Sequence, residues 1–408
     1  MHPVPKNLKK ISKRILKSLS SCIIILTYVS KKVNMFAVGF GRLENEGGSL
    51  NGYTLGEILS KFNITDPVLP YGDGHINDTY VTNTEKRYVL QRINTHVFAH
   101  PEQVMENIAR VTAHLREKII ASGGDPARET LTLIKTVDGQ NFYRTASGDC
   151  FRMYLFIEGA KTYQTIENPM HFYHGAKAFG RFQKLLADFP AHLLYETIPK
   201  FHDTRDRFSQ LELAANADRM GRKKDVLREL RFIDARKADT GVIVDAISDG
   251  SVPVRVTHND TKFNNVMIDE TTGEGVCVID LDTVMCGSLL YDYGDSLRFG
   301  ATPAAEDEKD LSKVYCDLNL FEHFTRGYLE ELRGVLTPRE IELLPFSAKL
   351  MTLECGMRFL TDYLNGDTYF KIHYPGQNLD RARTQLALVA DMEKKAGEMA
   401  QIVAKYFK

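Results

Sequence analysis

The sequence predicts an α+β chain of two lobes, a β-rich first part followed by a longer, mainly helical one. Strand-like runs crowd between about residues 70 and 157, whereas helical periodicity dominates from Met170 onward. A chain of 408 residues is also long for a single hydrophobic core. Inside the helical part lies an exception, the stretch 254–282, VRVTHNDTKFNNVMIDETTGEGVCVIDLD. It reads as an apolar hairpin with acids at its strand ends.

Composition narrows the function classes. The chain is 43% hydrophobic and 26% charged, with a net charge of −1. That balance conceals an asymmetry, because residues 1–34 carry eight Lys/Arg and no acid. The remainder has 44 basic residues against 53 acidic ones. An acidic body argues against nucleic acid as a partner. Six cysteines without a C-x-x-C pair fit reduced structural thiols in a cytoplasmic protein. The apolar run near 22–29 is too short to span a bilayer, so no stable membrane partner is expected. Residues 1–52 read as a basic extension and a Gly/Asn-rich loop outside the fold; a secretory signal is the alternative, without a convincing cleavage site.

The first lobe is expected over 53–157. A short helix covers Leu55 to Lys61. Pro70-Tyr71-Gly72-Asp73-Gly74-His75-Ile76-Asn77-Asp78 is then a glycine turn leading into a strand, and a second strand follows at Tyr88–Arg92. Gly72 and Gly74 would let backbone N–H groups approach phosphate oxygens; a plain hairpin turn is the competing reading. Where kinases carry a phosphate-pairing Lys on the next strand, this chain has Gln91, so Arg92 is the candidate replacement. A helix from Pro101 to Lys118 follows, with Val104, Ile108, Val111 and Leu115 on one stripe. Its Glu106 either pairs with Arg92 or faces solvent. Strands at Thr130–Ile134 and Asn141–Tyr143 precede Phe151–Ile157, which stops at Glu158-Gly159. Phe156 and Glu158 therefore mark a candidate adenine hinge.

The second lobe, 158–408, opens with an amphipathic helix from Met170 to Leu186. His171 and His174 share a face of it, and two His without a third ligand fit a structural role better than a metal site. IPKFHDTRDRF (198–208) reads as a polar, aromatic connection bordering a pocket, and 222–237 as a solvated mixed-charge helix. Thr337-Pro338-Arg339-Glu340 is a capping box opening a helix to about Leu364, on which Arg358 and Asp362 lie four apart. One long helix carrying Leu386, Val389, Met392, Ala396, Met399 and Val403 closes the chain.

The chemistry is carried by spacing. Asp260 and Asn265 are five residues apart, and Asp280 ends the return strand Val276–Ile279. Phosphoryl transfer from a nucleotide needs an Asp at the acceptor hydroxyl, and an Asn and a second Asp on Mg²⁺. His258-Asn259-Asp260 with Asn265 keeps the offset of the kinase catalytic loop. The bland alternative is a hairpin whose acids solvate its ends.

These words together resemble the aminoglycoside phosphotransferase/choline kinase superfamily. Within it they look most like the bacterial N-acetylhexosamine 1-kinase group, through YGDGHINDTY (71–80), RYVLQRINTHVF (87–98), THNDTKFNNV (257–266), VIDLDTVMCG (278–287), YDYGDSLRFGA (291–301) and GMRFLTDYLNGDTYF (356–370). The resemblance covers nearly everything from residue 53 onward. It implies a protein-kinase-like two-lobed fold, ATP with Mg²⁺, and a GlcNAc or GalNAc acceptor phosphorylated at its anomeric C1 hydroxyl. Asp260 would be the base, Asn265 and Asp280 the metal ligands, with Asp282 assisting. His75, Asp78, Arg358 and Tyr369 would contact the sugar; a salt bridge to Asp362 is the alternative for Arg358. Rival readings are a kinase of an amino alcohol, aminoglycoside or other sugar, and a catalytically silent kinase-fold binding protein.

Overall fold

Hydrophobic spacing accounts for most elements of the computed structural model, which describes residues 53–72, 77–166 and 168–407. The basic extension therefore lies outside the described residues. Contacts divide the chain after Thr54, and the unit described below runs from Leu55.

It opens with α1 (Leu55–Ser60) and the strands β1 (Val68–Pro70), β2 (Asp78–Thr82) and β3 (Tyr88–Ile93). Next come α2 (Pro101–Ala121), the short α3 (Pro126–Glu129), β4 (Leu133–Ile134), β5 (Tyr143–Arg144) and β6 (Cys150–Leu155). These strands form a six-stranded sheet in the order β1-β2-β3-β6-β4, with β5 also pairing β6. All its pairings are antiparallel, and the register sets Asp78 opposite Arg92 and Gln91 opposite Arg152. The expected strand at Thr130–Ile134 shrinks to two residues.

Proline at its first turn starts α2, whose stripe of Val104, Ile108, Val111 and Leu115 is buried. Each such side chain contributes about 1.5–3 kcal/mol on full burial. The same helix buries Asn107, whose side chain donates to the carbonyls of Tyr195 (2.8 Å) and Val284 (3.0 Å). That bond ties the first region to the segment following Asp280. Glu106, on the outer side, pairs with Arg110. The expected Arg92–Glu106 pair is thus replaced by two separate ones, since Arg92 binds Asp78 and Asp149.

Strand β7 (Ala160–Lys161) leads into α4 (Pro169–Leu185), α5 (Thr204–Ala217), α6 (Leu227–Asp234) and α7 (Val242–Ser248). Two expectations are corrected here. Asp203 caps α5, so Thr204–Phe208 is helix rather than connection, and Phe208 is buried. The 222–237 stretch is a 3₁₀ turn and then α6, with Val226 and Ile233 wholly buried, not a solvated helix.

The central stretch forms β8 (Arg255–Thr257), β9 (Val266–Asp269) and β10 (Gly275–Val278), followed by β11 (Met285–Gly287). As expected, β9 and β10 are a hairpin, extended by β7; β8 pairs with β11 instead. Helix α4 packs on the hairpin, and helices α8 (Leu289–Gly300), α9 (Leu318–Glu331), α10 (Pro338–Asn365), α11 (Gln377–Lys394) and α12 (Ala396–Tyr406) follow. Helices α4 and α9 pack closely: a Cβ on Gly327 would lie 2.3 Å from the carbonyl oxygen of Tyr173, so only glycine fits. The capping box of α10 is formed, and its Glu340 also holds Arg255 of β8 at 2.7 Å. The closing helix is two helices, not one. The break is at Lys395, whose Nζ binds the Cys316 carbonyl at 2.8 Å and Asp391 at 2.7 Å.

Among the described residues, Cys150, Cys277, Cys286, Cys316 and Cys355 are free thiols. No helix among those residues is long and apolar enough to cross a membrane.

Candidate active site

Strand β8 ends at Thr257, and the chain turns through His258-Asn259-Asp260 with Asn259 in the left-handed region (φ 65°). Asp280 adopts the same region at the end of β10 (φ 59°). Asn and Asp tolerate that conformation better than other side chains, though at a cost the surroundings must offset. Helix α8 supplies that support. The buried Asp292 accepts the backbone N–H groups of His258 (2.9 Å) and Asn259 (2.8 Å), plus the Gln183 amide (2.6 Å). Asp295 accepts from the backbone N–H of Thr261 at 3.0 Å and is held by Arg298 at 2.8 Å. His258 joins the two ends of the site. Its Nδ1 accepts the backbone N–H of Asp260, so Nε2 carries the proton and donates to the Ile279 carbonyl at 2.8 Å.

Within this frame Asn265 donates to the Asp260 carbonyl (2.8 Å) and carboxylate (3.3 Å). Lys262 Nζ lies 3.0 Å from Asp260 Oδ1. Burial is the largest single influence on Asp260 and raises its pKa, but the Lys262 charge and hydrogen bond, with the His258 and Arg298 charges, together outweigh it and hold the carboxyl below its ordinary value. Lys262 escaped the sequence reading, although it stands two residues beyond the Asp in the quoted loop. Asp280 behaves in the opposite sense: burial, then the Asp282 and Asp260 charges, push it up to about 7.

The Asp282 and Asp260 charges that act on Asp280 make a nearby cation favourable. Among the described residues no cluster of three or more His, Cys, Asp or Glu has metal-holding geometry. A set of one carboxylate and one amide oxygen suits Mg²⁺, which completes its shell with water and phosphate oxygens. Asn265 spends its amide N–H groups on Asp260, which leaves its amide oxygen as a donor to a cation. Asp282 is engaged otherwise, by an ion pair with Arg152 and a 2.7 Å hydrogen bond from Asn77. Its two oxygens thus serve Arg152 and Asn77.

Several cofactor and acceptor candidates are repositioned. Gly72 has φ 74°, a conformation that favours glycine, while Gly74 and His75 lie outside the described residues. Arg92 sits one residue beyond Gln91, hence on the opposite strand face, and binds Asp78 at 2.8 Å and Asp149 at 3.3 Å. It does not supply the charge missing at Gln91, and Asp78 is its partner. Glu158 is also committed elsewhere: Arg87 takes its carboxylate at 2.8 Å and Arg128 its carbonyl at 3.2 Å. Those bonds occupy the Glu158 side chain and carbonyl. The Phe156 ring is covered by the Arg87 guanidinium at 3.8 Å and meets Tyr71 edge-on at 5.8 Å.

Arg358 makes no pair with Asp362. That carboxylate is filled by the backbone N–H groups of Thr368, Tyr369 and Phe370 and by Asn378. It thereby shapes the loop that presents Tyr369 beside Arg358. The Arg358 guanidinium lies among the rings of Phe201 (4.9 Å), Phe370 (5.5 Å) and Tyr369 (6.0 Å). Arg207 packs on Phe201 as well, and burial followed by the Arg358 charge lowers its pKa. The adjacent His202 bonds Glu354 (2.9 Å) and the Asn259 carbonyl (3.1 Å), which fastens this wall to the loop bearing Asp260. Phe201, His202 and Arg207 come from the stretch read as bordering a pocket.

An antiparallel β region set against a helical one, with this loop at their junction, is the arrangement of kinase-like phosphotransferases. The chain belongs to the phosphotransferase enzyme family (APH), whose model matches residues 67–332. Among solved structures it is similar to an aminoglycoside phosphotransferase from Alicyclobacillus acidocaldarius, with 13% identity over 88% of this chain and 98% of that one (TM-score 0.57). It is also similar to a microcompartment-associated aminopropanol kinase, at 14% identity over 85% and 98% (TM-score 0.55). At these identities the likeness is one of fold.

Proposed function

We propose that the chain transfers the γ-phosphoryl group of ATP to the anomeric C1 hydroxyl of an N-acetylhexosamine, GlcNAc or GalNAc. The observation that supports transfer most directly is the ionised Asp260, held between Lys262 and Asn265 on a loop pinned by Asp292. In this reading Asp260 accepts the proton of the acceptor hydroxyl and orients its oxygen for in-line attack. Asn265 and Asp280 are the residues that would hold Mg²⁺. When bound, the ion offsets the phosphate charge. Lys262 keeps Asp260 anionic, and the Gly72 turn covers the phosphates.

The acceptor reading rests on the wall that Arg358, Arg207, Phe201 and Tyr369 form next to the loop. Two guanidinium groups there repel a cationic amino alcohol or aminoglycoside and suit a neutral sugar with hydroxyl and carbonyl acceptors. The aromatic rings offer flat apolar surface to a pyranose face. The first lobe, 53–157, would contribute the phosphate cover and the second, 158–408, the acceptor wall.

ADP release with GlcNAc, GalNAc, glucose, ethanolamine and an aminoglycoside as parallel acceptors tests this reading. Turnover with the two acetamido sugars, and a phosphorus NMR signal coupled to the anomeric proton, is the expected result. Preference for a cationic acceptor would overturn the sugar assignment. Nucleotide binding without turnover on any acceptor would favour the silent binding protein.

A further inference from the structure

Gln91 occupies the place of a phosphate-pairing lysine and carries no charge, so a kinase-like site here needs its cation from elsewhere. The sheet register shows where one is available. Arg152 on β6 lies directly opposite Gln91 on β3, and its Nε donates to Gln91 Oε1 at 3.0 Å. Its Nη1 pairs with Asp282, two residues past Asp280, and lies 4.0 Å from Met105 Sδ on α2. Arg152 is 1% exposed and Asp282 4%. A guanidinium has more N–H donors than these bonds use.

We infer that Arg152 supplies, from the neighbouring strand, the phosphate-facing positive charge that Gln91 lacks, with Asp282 as its anionic partner. The charge has moved one strand across the sheet, and its acid partner has moved from the helix to the turn after the metal-ligand candidate. Gln91 becomes a spacer that aims the guanidinium. Asn77, donating to the other oxygen of Asp282, links the same pair to the end of the glycine turn. This assignment rests on the nucleotide-dependent reading of the site.

The test compares binding of ADP and of adenosine by calorimetry, since only ADP carries phosphates. Removing Arg152 alone would strand a buried carboxylate, so Arg152→Met is combined with Asp282→Asn, and Arg152→Lys is made separately. For the double variant the expected result is a loss of ADP affinity of about tenfold to a hundredfold, the worth of a charge-assisted hydrogen bond. Adenosine affinity stays at the wild-type value. Adding Gln91→Lys to the double variant restores ADP binding, because it returns a cation to the original position. Equal weakening of ADP and adenosine, or unchanged ADP affinity in a folded double variant, overturns the assignment. A wild-type protein that binds neither overturns the nucleotide reading itself, so the two failures are distinct.

Discussion

Nζ of Lys262 lies 3.0 Å from Oδ1 of Asp260, and the two groups stabilise each other's charge. The proposed general base must be ionised at working pH, and this contact favours that state. Asp260→Asn is expected to lower kcat roughly 10²- to 10⁴-fold while ADP still binds. Unchanged turnover would remove Asp260 from the reaction.

Lys262→Met removes the largest of the influences that lower the Asp260 pKa, leaving burial opposed only by the His258 and Arg298 charges. The base then protonates at higher pH. The acidic limb of the kcat/KM profile is expected to shift upward, and an unmoved acidic limb would show that Lys262 does not set the ionisation of Asp260.

Asp280 titrates at about 7 in the folded chain, against about 3.9 when unfolded. Between those values the native state binds the extra proton. Its stabilising contribution is therefore full at acid pH and is lost as pH rises through about 7. Thermal unfolding of wild type without metal should lose stability across that window relative to Asp280→Asn. Mg²⁺-dependent nucleotide affinity should rise with pH over the same range, because the metal takes the deprotonated carboxylate. In Asp280→Asn that metal dependence should disappear.

Asp292 accepts two buried backbone N–H groups of the catalytic turn. Asp292→Ala leaves both unpaired and is expected to cost about 2–4 kcal/mol in urea unfolding. Asp292→Asn keeps an acceptor oxygen and should cost less.

Arg358→Met should raise the acceptor KM about tenfold, as loss of one charge-assisted contact does, with ADP affinity unchanged. Asp362→Ala should raise the same KM by releasing the 368–370 loop, and should lower Tm as well. An effect of Arg358→Met confined to nucleotide binding would move Arg358 out of the acceptor wall.

Much of the candidate site was legible from spacing, because Asp260, Asn265 and Asp280 are fixed to one another by a short loop and one hairpin. Local chemistry also placed the capping box at Thr337 and the start of α2 at Pro101. Long-range pairing stayed hidden. Which face of β3 carries Gln91 and which carries Arg92 follows from sheet register, and Arg152 becomes Gln91's neighbour only when β6 is laid beside β3. The salt bridge considered for Arg358 was reasonable at a helical spacing of four, yet Asp362 is saturated by backbone donors of a loop six to eight residues on. Sequence alone thus determined an α+β fold and the loop and hairpin of a phosphotransferase site. Tertiary structure decided which charged groups pair with one another, as Arg92 does with Asp78 and Arg152 with Asp282. Side-chain charge is local to a residue, whereas its partner is chosen by packing across strands and helices far apart in the chain.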